Sequence, residues 1–273
     1  MTTAVEKEEY EVKYGKLPTL TDKPTHYCPG CEHGTLTRLI ANAIANLGIQ
    51  DKTVMVDSVG CSVLAYDYIN TDHVQAPHGR APAVMTGIKR VRPDLIVFSV
   101  QGDGDALSIG LLELLYSAIR GEPITIFLVN NAVYGMTGGQ MAPTTPQGMV
   151  TTTTPFGRDT AYTGPSLDAS KLLAGFERTA YVRRIVLPII PIETPRGTLY
   201  NARGSLEGVK IVENAFKVQM MGGFSFVEVV SSCNINWKMS ILESKKYVAD
   251  VLSKLYPPGI YKDIFGIETR SKK

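Results

Sequence analysis

Three stretches of this chain are apolar almost without interruption, and helical patterns lie between and around them. The stretches are Thr53-Val54-Met55-Val56, Leu95-Ile96-Val97-Phe98-Ser99-Val100 and Ile124-Thr125-Ile126-Phe127-Leu128-Val129. A strand with one face in water alternates apolar and polar residues, so a continuous run implies cover on both faces. Leu36, Leu39, Ile40, Ala43, Ile44 and Leu47 recur at helical spacing over residues 35–47 and stop at Gly48. A second helix is expected over 106–120, and further helices over 168–176, 208–221 and 240–255. Further strands are expected over 181–190 and 224–230. Alternating strands and helices of this kind predict an α/β fold, a doubly wound and mostly parallel sheet.

From Val133 to Pro165 the regularity stops in a stretch rich in Thr, Gly, Pro and Met. A loop this long inside a compact domain is usually functional or mobile. The run 188–204, with Pro188, Pro191 and Pro195, reads as an insert. Neither a repeat nor a low-complexity linker divides the chain. One domain is expected over 27–265, with an arm at 1–26 and a tail at 266–273. The formal net charge is +2 and the only basic run is Arg270-Ser271-Lys272-Lys273, too little for a nucleic-acid groove. No window approaches about 18 consecutive apolar residues, so no membrane span is expected. Met1 to Lys13 lacks the apolar core of an export signal, and a cytoplasmic protein is expected.

In a reducing compartment, paired cysteines more often bind metal or act in redox chemistry than form bridges. Cys28-Pro29-Gly30-Cys31 is such a pair, and its Pro-Gly turn can aim both sulfurs at one point. Cys61 and Cys233 each follow an expected strand. Four thiolates suit zinc or a [4Fe–4S] cluster, and Cys61 and Cys233 could equally be small buried apolar residues.

Two further features fall at strand ends, where open α/β sheets place ligands. Gln101-Gly102-Asp103-Gly104-Asp105 follows the strand ending at Val100 and opens a helix. Glycines there let backbone amides approach a phosphate, and Asp103 offers a hard oxygen to a divalent cation. Asn130-Asn131 ends the next strand, 27 and 28 residues after Asp103. Either feature alone is an ordinary turn. Together, at this separation, they form the thiamine diphosphate pattern, in which an Asn amide and the Val133 carbonyl can complete the Asp103 Mg²⁺ site. The dinucleotide fingerprint GxGxxG is absent.

With these motifs in place, the chain resembles the β subunit of 2-oxoacid:ferredoxin oxidoreductases. The resemblance is carried by Tyr27-Cys28-Pro29-Gly30-Cys31-Glu32-His33-Gly34, Gly60-Cys61-Ser62, His78-Gly79-Arg80-Ala81 and Gly102-Asp103-Gly104-Asp105. It continues through Asn130 to Gln140 and Phe226-Val227-Glu228-Val229 ahead of Cys233. It implies that Cys28, Cys31, Cys61 and Cys233 hold one [4Fe–4S] cluster. Asp103, Asn131 and Val133 would hold Mg²⁺. Gly102, Gly104, Asp105, Thr137 and Gly138 would surround the diphosphate, and Cys61, Ser62 and His78 would lie beside the cofactor. Arg80 is expected nearby. Cys233 has Ser232 and Asn234 as flanks where the family often has proline, and the segment 184–204 is long for the family.

The activity so implied is oxidative decarboxylation of a 2-oxoacid to an acyl-CoA and CO₂, with electrons leaving through the cluster to ferredoxin. The alternative is a non-oxidative thiamine diphosphate decarboxylase or synthase half with a structural four-cysteine zinc site. The stretch from Tyr134 to Thr145 resembles the branched-chain (2-oxoisovalerate) and 2-oxoglutarate members more than the pyruvate enzymes, and the balance leans to branched-chain acids. Glu113, inside the second helix, reads as a surface glutamate. The resemblance implies that the glutamate that activates thiamine comes from a partner α subunit, with γ and δ subunits as further possible partners. Met136, Met141 and Met149 are candidates for an apolar acyl pocket or a partner-covered surface.

Overall fold

The apolar runs become inner strands of one seven-stranded sheet. In chain order the strands are β1 Thr53–Asp57, β2 Asp72–Gln75, β3 Ile96–Gly102, β4 Thr125–Asn130, β5 Thr179–Val186, β6 Phe224–Val230 and β7 Gly259–Asp263. They lie side by side as β7-β5-β6-β4-β3-β1-β2. All are parallel except β7, which returns antiparallel along β5. This computed structural model describes residues 17–187, 191–194, 197–200 and 203–270.

The covering helices are α1 His33–Leu47, α2 Ala81–Val91, α3 Leu111–Arg120, α4 Ala169–Ala174 and α5 Arg203–Met220. Side chains alternate across a strand, so each inner strand serves two cores. Met55, Phe98, Phe127 and Val227 join the core under α1 and α5, where Phe98, Phe127 and Phe216 meet edge to face. Val56, Val97, Ile126 and Phe226 join the core under α2, α3 and α4. The sheet is thus doubly wound and mostly parallel, as its continuous apolar strands require. No helix among the described residues is long and apolar enough to cross a membrane.

Several elements differ from the sequence expectation. The helix expected over 106–120 begins as a wide turn, Asp105–Ile109, closed by the Gly110 amide on the Asp105 carbonyl at 2.8 Å. Regular helix starts only at Leu111. The helix expected over 240–255 opens with a Ser240–Glu243 capping box and also widens, at Val248–Leu252. Strand β5 ends at Val186 rather than 190, and α5 starts at Arg203 rather than 208. β2, α2 and β7 carry no signal that patterning would find: β2 and β7 are sheet edges, largely exposed or half-exposed, and α2 contains Pro82 and Gly87. The loop from 133 to 165 is irregular, apart from a short pairing of Val133–Tyr134 with Gln140–Met141 and one turn at Thr160–Thr163. Of the expected arm, tail and insert, residues 1–16, 271–273, 188–190, 195–196 and 201–202 lie outside the described residues.

Beneath the loop, a buried ion pair ties three strands together. Arg184 on β5 and Glu228 on β6 are both 0% exposed, with Arg184 Nε 2.8 Å from Glu228 Oε2. Arg184 also pairs with Asp168 and donates to the Tyr261 hydroxyl. On its other side, Glu228 Oε1 accepts from Asn130 Nδ2 on β4 at 2.8 Å. Removing one member of a buried pair leaves an uncompensated charge. Arg184→Ala should cost about 3–5 kcal/mol, read as a lowered urea midpoint at unchanged slope. A midpoint within error of the unaltered chain would show that Glu228 is satisfied without Arg184.

Candidate functional site

The C-terminal ends of β1, β3 and β4 open onto a cleft of about 520 Å³. His78, Gly102, Asp103, Gly104, Asp105, Asn131, Val133 and Thr137 all line it, so most of the residues expected at the cofactor converge. Val59, Gly60, Tyr134, Gly135 and Met136 complete much of its wall.

Asp103 is 1% exposed at the end of β3. Its Oδ1 accepts from the Gly104 amide at 2.8 Å, and its Oδ2 accepts from the Thr144 hydroxyl. Burial pushes its carboxyl up to about 7, and these donors pull against that rise without cancelling it. The site therefore holds a carboxylate with no countercharge, which a bound cation would supply. Asn131 lies across the cleft because the chain reverses just beyond β4. Ala132 adopts φ 62°, unusual for a residue with a side chain. Asn130 Oδ1 accepts from the Ala132 amide at 3.3 Å, and the Thr145 hydroxyl donates to the Ala132 carbonyl at 2.5 Å. Asn131 Oδ1 accepts from the Val133 amide at 3.3 Å. The first asparagine of the pair thus shapes the turn, and the second faces the cleft.

Gly104 must lack a side chain. A Cβ there would stand 2.2 Å from the Tyr134 ring, whose hydroxyl donates to the Gly104 carbonyl at 3.1 Å. Asp105, by contrast, is fully engaged. Its oxygens accept from Ser58 Oγ at 2.5 Å, Gln101 Nε2 at 2.6 Å, the Gly79 amide at 2.7 Å and His78 Nδ1. Its carboxylate orients His78, fixing the Nδ1 proton and leaving Nε2 for the cleft. Ser62 is buried with its hydroxyl on the Val100 carbonyl at 2.7 Å, so it braces the Cys61 turn. Arg80 turns away from the cleft to Glu113, at 3.0 Å, and to the Ile109 carbonyl. Gly138 is not among the residues on the cleft wall. Met149 packs into the small core around Trp237 and Tyr256, so of the three methionines only Met136 is both exposed and on the cleft.

A second cavity, of about 430 Å³, adjoins the first and is lined by Cys28, Cys31, Cys61 and Cys233. All four are free thiols. Among the described residues, no three His, Cys, Asp or Glu side chains gather about a single point as ligands of one ion. Burial, with the neighbouring sulfurs adding to it, pushes Cys61 up to about 12; burial likewise pushes Cys31 up to about 11 and raises Cys233. These thiols stay neutral until something positive lies among them. The residue that joins the distant cysteines is Glu32. Its buried Oε2 accepts from the Ser232 amide at 2.7 Å, Ser232 Oγ at 2.8 Å and Ser231 Oγ at 3.0 Å. This clamps the Cys28–Cys31 turn to the end of β6. Sequence spacing could not reveal it, because the partners lie about 200 positions apart.

The two cavities share a wall. His33, Cys61, Asn131 and Gly135 line both. A Cβ on Gly135 would stand 3.2 Å from the Cys61 sulfur, tighter than an ordinary contact, and 3.5 Å from Asn131 Nδ2, so the backbone runs close to both sites. His33 is buried, stacked on Tyr27 at 5.3 Å, and pushed down to about 4 by burial and then by His26. It is therefore neutral at physiological pH.

The C-terminal thiamine pyrophosphate-binding domain of thiamine pyrophosphate enzymes matches residues 58–186, the segment that builds the cleft. The 2-oxoglutarate synthase subunit KorB of Archaeoglobus fulgidus is 33% identical over 228 residues, which cover 83% of this chain and 76% of that subunit. The chain belongs to this family of 2-oxoacid oxidoreductase subunits. The ketoisovalerate oxidoreductase subunit VorA of Methanothermobacter thermautotrophicus is 41% identical over 255 residues, 93% of this chain. The chain spans about half the length of that relative, 50%. A chain of the 2-oxoglutarate:ferredoxin oxidoreductase of Magnetococcus marinus, solved with 2-oxoglutarate, coenzyme A and succinyl-CoA, shares the fold. It matches with a TM-score of 0.74 at 24% identity, covering 93% of this chain and 87% of that one.

Proposed function

We propose that this chain is the thiamine diphosphate- and [4Fe–4S]-binding subunit of a 2-oxoacid:ferredoxin oxidoreductase, which converts a 2-oxoacid and coenzyme A to an acyl-CoA and CO₂. The observation that carries this reading is the shared wall. A diphosphate-type cleft and a four-thiol cavity meet at Gly135, Cys61, Asn131 and His33. When bound, thiamine diphosphate would supply an electron sink for decarboxylation and a neighbouring cluster a one-electron acceptor.

Both groups fit the residues present. Asp103 is a buried carboxylate awaiting a cation, and Gly102 on the cleft wall, where a Cβ would meet nothing within 4 Å, has open space beside its backbone. Asp103, Asn131 and Val133 would hold Mg²⁺ against the diphosphate, a sparse set of the kind Mg²⁺ uses. Four thiols around a cavity, rather than around a point, suit a cubane better than a single ion. Within the chain, Asp105 sets the orientation of His78, so that its Nε2 can accept or return a proton at the cleft. Tyr134 and Met136 add apolar surface to the cleft wall.

The substrate side chain is proposed to be branched and apolar. The greater identity to the ketoisovalerate relative agrees with this. A reducing cytoplasm would keep the thiols available for the cluster.

Anaerobically purified protein should contain about four irons per chain, bleached on reduction, as one [4Fe–4S] cluster requires. Stoichiometric zinc without iron would overturn the oxidative reading and leave a non-oxidative thiamine enzyme in its place.

A further inference from the structure

We propose that Asn236 sets the reduction potential of the cluster through a hydrogen bond to the Cys233 sulfur; this rests on the four-cysteine reading above. Cys233 caps a single helical turn, Asn234–Trp237. Residues three apart on such a turn are neighbours, so Asn236 folds back over Cys233. Its Nδ2 stands 3.2 Å from the Cys233 sulfur and 2.8 Å from the carbonyl oxygen of Gly135. A carbonyl oxygen accepts only from a donor, so the nitrogen end of the amide must face Gly135. The two hydrogens of that nitrogen then serve the two acceptors.

The side chain is held from three directions. The helical turn fixes its base, and the Gly135 carbonyl fixes its tip. Gly139 presses on its flank, where a Cβ would come within 2.9 Å of the Asn236 Cβ. Asn236 itself lines the cysteine cavity. A donor so constrained is already in place and need not reorganise when charge on the sulfur changes.

The physical consequence has a definite sign. On accepting one electron a cluster gains one negative charge, shared with its thiolate sulfurs. An N–H donor to such a sulfur stabilises the reduced state more than the oxidised one and raises the potential. The same amide grips Gly135, one of the residues in the wall between the cluster cavity and the cleft, so the tuned sulfur lies on the side from which electrons would arrive.

The test is a potentiometric titration of the anaerobically purified holoprotein, followed by the electron paramagnetic resonance signal of the reduced cluster. Asn236→Ala removes the donor. Asn236→Asp keeps the shape, removes the donor and adds a negative charge. Both should retain iron and their thermal midpoint, and the potential should fall in the order unaltered, Asn236→Ala, Asn236→Asp. An unchanged potential in both iron-replete variants would overturn the proposal. Loss of iron from both would also overturn it, assigning Asn236 to assembly alone. Absence of iron from the unaltered protein would instead bring down the four-cysteine reading, and this proposal with it.

Discussion

Asp103→Ala should abolish Mg²⁺-dependent retention of thiamine diphosphate while leaving the chain folded. Among the described residues on the cleft wall, the carboxylates are Asp103 and Asp105, and Asp105 is engaged by four donors from within the chain. Asp103 is thus the one acid free to meet a cation there. Its loss leaves the cation and the diphosphate without a charged protein ligand. The affinity should fall by more than the roughly 10–100-fold that loss of an outer partner of a metal site costs. Folding should suffer little. Asp103 is buried without a countercharge, which is a cost in the cofactor-free chain. Its removal takes an acceptor from the Thr144 hydroxyl and the Gly104 amide, a cost of about 1–3 kcal/mol for each if left unpaired, against which stands the relief of that buried charge. Calorimetric titration with thiamine diphosphate and Mg²⁺, beside a thermal melt, separates the two effects. Unaltered affinity in a folded variant would remove Asp103 from the metal site.

How much of this could be read from residues alone depends on the range of the interactions involved. The inner strands were legible because cover on both faces demands uninterrupted apolar residues, as in Leu95 to Val100. The edges were not, because Asp72-His73-Val74-Gln75 faces solvent and answers to its neighbour β1 rather than to a pattern of its own. The Gly102-Asp103-Gly104 and Asn130-Asn131 motifs were legible because the chemistry sits at consecutive positions. Their supports were not. Thr144 reaches Asp103 from a loop 41 positions away, and Glu228 steadies Asn130 from 98 positions away. Arg80 shows the converse. Its neighbours in sequence point to the cofactor, but its length lets it reach Glu113 on α3. The wide turn at Asp105 follows the same logic: a helical pattern in the sequence does not show that the first residue's carboxylate is already bound to Ser58, Gln101, Gly79 and His78.

The isolated chain, loaded with its cofactors, should show no 2-oxoacid-dependent reduction of ferredoxin or dye in the presence of coenzyme A. Thiamine enzymes activate the cofactor with a glutamate, and no glutamate stands among the described residues on the cleft wall. Glu113 is paired with Arg80 on α3, away from that wall. On the proposed function, the activating group would come from a partner subunit. We propose that the loop from 133 to 165 packs against such a partner. Buried Arg158 gathers it from within, donating to the carbonyls of Pro143, Thr145, Gly164 and Pro165 at 3.0, 2.5, 3.1 and 3.2 Å. The same loop turns Val150, Phe156 and Tyr162 outward, with Phe156 101% exposed. A loop that is internally bonded yet presents large apolar groups to water has the character of an interface. Alanine at Phe156 and Tyr162 together should weaken assembly with the partner subunit, seen by size exclusion, without changing iron content or thiamine diphosphate affinity. Turnover by the isolated chain close to that of the assembled enzyme would show that its active site is complete without a partner.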